Sequence, residues 1–80
     1  MSEPATLDVR TIVPRERHPL IFSRLDALAQ GEALLLVNDH DPKPLRYQLM
    51  AERPEQFSWE PQTEGPEEWA IRITRVAEEK

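Results

Sequence analysis

The strongest constraint on this chain is an apolar run of strand length that stops against a polar cluster. Ala33-Leu34-Leu35-Leu36-Val37 gives way to Asn38-Asp39-His40-Asp41-Pro42. An unbroken apolar stretch of this length, bounded by polar and turn-forming residues, reads as a central strand covered on both faces. The cluster then reads as the loop at its C-terminal end. In open α/β sheets that end is where ligands gather.

The flanking segments complete the order β-α-β-α-β-β. Ala5 to Arg10 alternates, with Leu7 and Val9 on one face, as a half-buried strand does. Thr11 to Arg17 is a loop containing Pro14. Ile21, Leu25 and Leu28 recur at helical spacing beside Phe22 and Ala29, predicting a helix over about His18–Ala29, with Pro19 in its first turn and Gly31 as its stop. Asp41 is placed to cap a second helix, with Pro42 at its first position. That helix runs through Leu45, Tyr47 and Leu49 to about Glu52, and Pro54 ends it. Phe57–Glu60 alternates with both aromatics on one face, Gln62–Pro66 forms a turn, and Trp69, Ile71 and Ile73 mark the last strand. Eighty residues hold one small domain, here 5–76, with 1–4 and 77–80 as frayed ends.

Composition removes several classes of function. There is no cysteine, so a disulfide, a thiolate zinc site, a thiol nucleophile, an iron–sulfur cluster and a persulfide carrier are all excluded. Fifteen acids against ten bases give a net charge of −5. Neither half of the chain is basic, which disfavours nucleic acid and anionic membranes as partners. The first residues lack a basic segment followed by an apolar one, so no signal peptide is expected. No apolar run approaches the ~20 residues that cross a bilayer. The expectation is a cytoplasmic protein.

A strand, a helix and a neighbouring parallel strand form a right-handed crossover. The trailing ends of the first two strands then share one edge of the sheet. Both histidines fall there: His18 at the first helix, His40 in the loop after the second strand. His18 and His40, with Asp39 and Asp41, are metal-competent groups, although neither an HExxH motif nor an EF-hand loop is present. The plainer alternative makes His18 and Asp41 helix caps and His40 a loop residue. Arg15, Arg17 and His18 precede a helix start, where free N–H groups favour an anion or a partner's carboxylate; the alternative is that they neutralise Asp39, Asp41 and Glu16. Asp39 and Asp41 in a wet loop give little reason for acid–base catalysis. Phe57, Trp59 and Trp69 stand at core-type positions, whereas Tyr47 lies off the apolar stripe and is placed to reach the loop edge.

Leu7-Asp8-Val9-Arg10, Pro14, Arg17-His18, Ile21-Phe22, Leu25-Asp26, Gly31-Glu32, Leu36 to Pro42, Pro44-Leu45, Tyr47-Gln48, Phe57-Ser58-Trp59, Gly65-Pro66 and Trp69 together resemble the bacterial domain-of-unknown-function family 2249. The resemblance covers about residues 6–76, and Asn-Asp-His-Asp-Pro is its most specific part. Leu25 stands where an aromatic is expected. The resemblance implies a TusA/SirA-like α+β two-layer sandwich: two helices on one face of a four-stranded mixed sheet, strand order 1-2-4-3, with the last strand antiparallel to the others. It also implies occurrence alone or beside hemerythrin-like domains in bacteria that handle nitrogen oxides, oxygen or iron. Sulfur carriers of that fold use a cysteine-proline pair at the start of the first helix; here Arg17-His18-Pro19 stands near that place.

The expected function is therefore a small non-enzymatic binding or accessory domain. It would contact a protein partner or small ligand through Arg15, Arg17, His18, Asn38, Asp39, His40, Asp41 and Tyr47. The alternative is a module that binds a transition metal or haem with His18 and His40 as ligands.

Overall fold

The elements are β1 (Ala5–Asp8), α1 (Pro14–Asp26), β2 (Ala33–Asn38), α2 (Lys43–Glu52), β3 (Phe57–Glu64) and β4 (Trp69–Arg75). The computed structural model describes residues 5–76; the ends read as frayed, 1–4 and 77–80, lie outside the described residues. One mixed sheet has the order β1-β2-β4-β3, as expected. β1 runs parallel to β2 with Leu7 opposite Leu36. β4 is antiparallel to both neighbours, placing Ile71 opposite Leu36 and Trp59 opposite Ile73. The trailing ends of β1, β2 and β3 therefore meet at one edge, where β4 begins.

A single apolar cluster fills the space between sheet and helices. Leu7, Val9, Leu34, Leu36, Phe57, Ile71 and Ile73 come from the sheet side, Ile21 and Leu25 from α1, and Leu45 and Leu49 from α2. Because both helices feed one cluster against one face, the architecture is two-layered. Burying each such Leu or Ile contributes about 1.5–3 kcal/mol. At the far end, Arg53 grips Asp26 with two bonds of 3.0 and 2.9 Å, tying the last turns of the helices together.

Among the described residues the opposite face of the sheet carries no second layer, contrary to the reading of β2 as covered on both sides. Leu35 is half-buried and Val37 buried beside Gln62, Ala70 and Arg72, which line a shallow groove with them. Neighbouring strands shield these residues sideways.

Both helices start differently from the sequence expectation. α1 begins at Pro14, whose missing N–H costs nothing at the first helical position. It ends at Asp26, so Leu28 and Ala29 lie beyond it. Gly31, at φ +87°, serves the turn into β2 and donates its N–H to the Arg75 carbonyl at 2.7 Å. Pro19 consequently falls inside the helix and not in its first turn. α2 starts at Lys43, and its flanking residue is Pro42 without any side-chain capping bond, so Asp41 is not the cap. β3 extends to Glu64 through an irregularity between Pro61 and Thr63, which an edge strand tolerates because Pro61 owes no bond on its outer side.

Interior proline removes a helical hydrogen bond and crowds the preceding turn. Pro19 is exposed, so no packing offsets this. Pro19→Ala is expected to raise stability by about 1–3 kcal/mol, read as a higher denaturant midpoint with an unchanged slope.

Candidate functional site

Arg17, Ile21 and Leu25 are the buried residues of α1, spaced by four along one stripe. Arg17 is 8% exposed, and its guanidinium is spent inside the protein. Nε donates to the Ile12 carbonyl at 2.8 Å. Nη1 donates to Asn38 Oδ1 at 3.1 Å and to Asp39 Oδ1 at 3.2 Å. Nη2 reaches the Arg10 carbonyl at 3.4 Å. The same Asn38 oxygen accepts the Asp39 backbone N–H at 2.8 Å. A buried cation is costly unless it is paired and fully hydrogen-bonded. Here one planar fork is paired with Asp39 and places four hydrogen bonds, and it clamps the loops after β1 and β2 to α1. Lysine's single point charge has no equivalent geometry.

The clamp extends to both imidazoles. Asp39 Oδ1 lies 2.7 Å from His40 Nδ1. A carboxylate only accepts, so the proton sits on Nδ1. His18 Nδ1 lies 2.9 Å from Gln48 Oε1, and the amide of Gln48 is oriented by donating Nε2 to Glu52 Oε2 at 3.0 Å. His18 therefore also carries its proton on Nδ1. In the neutral form of each ring Nε2 is left as an acceptor, and it has no partner among the described residues. The hydrogen bond from His40, and then the one from Arg17, holds the Asp39 carboxyl below its ordinary range.

The two histidines line one small cleft of about 90 Å³, together with Arg17, Ile21, Asn38 and Leu45. Sequence topology placed them at a common edge, and the fold brings them there. Other expected members are elsewhere. His18 sits within α1 and does not cap it, the flanking residue being Val13. Arg15 is exposed and does not line the cleft. Tyr47 is 66% exposed and also absent from its walls. Asp41 faces a neighbouring cleft instead. Among the described residues no group of three or more His, Asp or Glu side chains is placed to hold a metal ion.

That neighbouring cleft, about 340 Å³ in volume, lies across Pro42 and is lined by Asp41, Lys43, Arg46, Trp59, Glu64 and Trp69, among others. Of the three aromatics expected in the core only Phe57 is buried; Trp59 and Trp69 are half-buried. Trp69 pairs with Asn38 at the last rung of the sheet. Its ring rests on Gly65, where a Cβ would come within 2.6 Å of the indole and where φ is +67°. Arg10 secures the adjoining rim, holding Asp8 with bonds of 2.9 and 2.7 Å and approaching Glu68 at 3.6 Å. That pairing lowers the Asp8 carboxyl to about 2.

The sequence model of a family described as an uncharacterized conserved protein family, DUF2249, matches residues 6–75. No curated protein and no solved structure matches the chain. No helix among the described residues is long and apolar enough to cross a membrane.

Two outcomes follow from the clamp. Arg17→Met leaves the Ile12 and Arg10 carbonyls without their guanidinium partner and the Asn38 oxygen with only the Asp39 N–H, and is expected to cost about 2–4 kcal/mol in denaturant unfolding. Arg17→Lys is expected to recover only part of that. Asp39 titrates lower in the folded state than in the unfolded chain. Its contribution is therefore complete above the unfolded carboxylate value of about 4 and is lost as pH falls through the depressed folded value. Stability curves of the protein and of Asp39→Asn are expected to run parallel near neutrality and to converge in acid.

Proposed function

The chain belongs to the DUF2249 family, and from that premise we propose that it is a small non-enzymatic binding domain. It uses the edge between the start of α1 and the loop after β2. The observation that carries this reading is the pair of imidazoles on one cleft, each fixed through Nδ1 and each presenting a bare Nε2. Two lone-pair acceptors on a chain of net charge −5 suit a partner that brings hydrogen-bond donors, such as peptide N–H groups or basic side chains. The cleft, at about 90 Å³, is well below the roughly 300 Å³ at which substrate pockets begin. It suits a docked side chain better than a reaction. Arg17 is the positioning residue of this site, and His18 and His40 are the contacts, with Asn38 and Asp39 behind them.

The 1-2-4-3 sheet and the β-α-β-α-β-β order support a TusA/SirA-like reading of the architecture. The family resemblance supports a bacterial setting in redox, nitrogen-oxide or iron metabolism, and a cytoplasmic location is proposed with it. The chain has no cysteine, so the persulfide chemistry of sulfur carriers has no nucleophile at this edge.

One observation favours a second reading. Histidines that ligate metals donate their second ring N–H to an oxygen acceptor, which fixes the tautomer. His18 and His40 both have that arrangement, and a metal or haem iron held by them would take its remaining ligands from solvent or a partner.

The two readings separate experimentally. A photo-crosslinking side chain in place of Pro44, which lines the cleft, is expected to give a discrete protein adduct in cells that vanishes in the His18→Ala/His40→Ala double variant. Adducts unchanged in that variant would remove the binding reading. Calorimetric titration with zinc, nickel or ferrous ion is expected to show no tight stoichiometric binding. Tight binding abolished by either single alanine variant would instead establish the second reading.

A further inference from the structure

The geometry points to a second binding site, in the cleft between α2 and the β3–β4 ribbon, for a flat aromatic molecule carrying one anionic group. Lys43 and Arg46 stand three residues apart on α2, hence side by side on its surface, and both line this cleft. Neither forms an ion pair among the described residues. Adjacent like charges on a helix repel, and an anion seated between them relieves that repulsion. Arg46 adds the planar fork that matches a carboxylate or phosphate.

The opposite wall supplies the aromatic half of the recognition. Trp59 and Trp69 are both only half-buried, and they line the cleft together. Indole faces stack on planar rings, as aromatic side chains do on the bases of single-stranded nucleic acids. Gly65 fixes the position of Trp69, because any side chain there would collide with its ring. A volume of about 340 Å³ falls within the range of small-molecule sites. Asp41 and Glu64 also line the cleft and restrict it: a ligand with several negative charges would meet their carboxylates. The occupant is therefore a ring with one anionic group, of the size of an aromatic carboxylate or a nucleoside monophosphate.

The chain has two tryptophans, and both line this cleft, so intrinsic fluorescence reports on it directly. Adenosine monophosphate and benzoate are the two probes. Adenosine supplies a ring without the anion, and inorganic phosphate the anion without a ring. At least one of the two probes is expected to change the emission saturably, with a dissociation constant below about 1 mM. Adenosine and phosphate are each expected to bind at least ~10-fold more weakly. Arg46→Glu, at an exposed position, is expected to abolish binding while circular dichroism stays unchanged. His18→Ala is expected to leave it intact, which separates this site from the histidine cleft. In amide NMR the shifts should cluster on Lys43–Arg46 and the two indole N–H signals. No saturable response to either probe would overturn the proposal. So would equal binding of adenosine, or binding that survives Arg46→Glu.

Discussion

A guanidinium buried at the end of a sheet dictates what surrounds it. Arg17 cannot be withdrawn from water without oxygen partners for its fork, and the fold supplies them from three separate segments: the Arg10–Ile12 loop, Asn38 at the end of β2, and Asp39 beyond it. Parallel pairing of β1 and β2 brings those segments to one edge, and the arginine then fixes them against α1. A domain of this size buries a modest apolar core, and the hydrogen bonds of Arg17 add to what holds the loops at this edge together. Asp39 passes the constraint on to His40. Gln48 and Glu52 do the same for His18 from the side of α2.

The rim carries two clefts that share Pro42. On one side a small cleft displays two imidazole acceptors; on the other a larger cleft displays two indoles and two cations. The loop Asn38–Pro42 is common to both. Arg17 holds its Asn38 and Asp39 side chains, Asn38 Oδ1 accepts the Asp39 backbone N–H, and Asn38 pairs with Trp69 at the last rung of the sheet.

Much of the architecture was legible because hydrophobic spacing has few solutions. The alternation of Trp69, Ile71 and Ile73 and the run Ala33–Val37 require strands, and the crossover rule alone places His18 and His40 at the same edge. Helix starts were less legible. Pro14 and Pro19 both suit a first turn, and periodicity in Ile21, Leu25 and Leu28 pulled the expected helix toward the later one. Leu28 packs on the core from outside the helix, so it mimicked helical periodicity. The role of Arg17 was present in the spacing, since it lies four residues before Ile21 and eight before Leu25. Its charge suggested a surface residue, and only its oxygen partners, scattered over distant segments, make burial tolerable. The indole cleft was hidden for a related reason: alternation assigns Trp59 and Trp69 to the helix-covered face but does not say where that cover stops.

The central claim is that a chain of hydrogen bonds anchored at Arg17 and Gln48 sets the protonation geometry of both imidazoles. Nitrogen-detected NMR of the histidine rings, recorded above the imidazole titration range, tests it most directly. The account predicts that both rings carry the proton on Nδ1 with Nε2 bare, and that Arg17→Met releases His40 but not His18. Rings showing the Nε2–H form that an unconstrained imidazole prefers in water would contradict it.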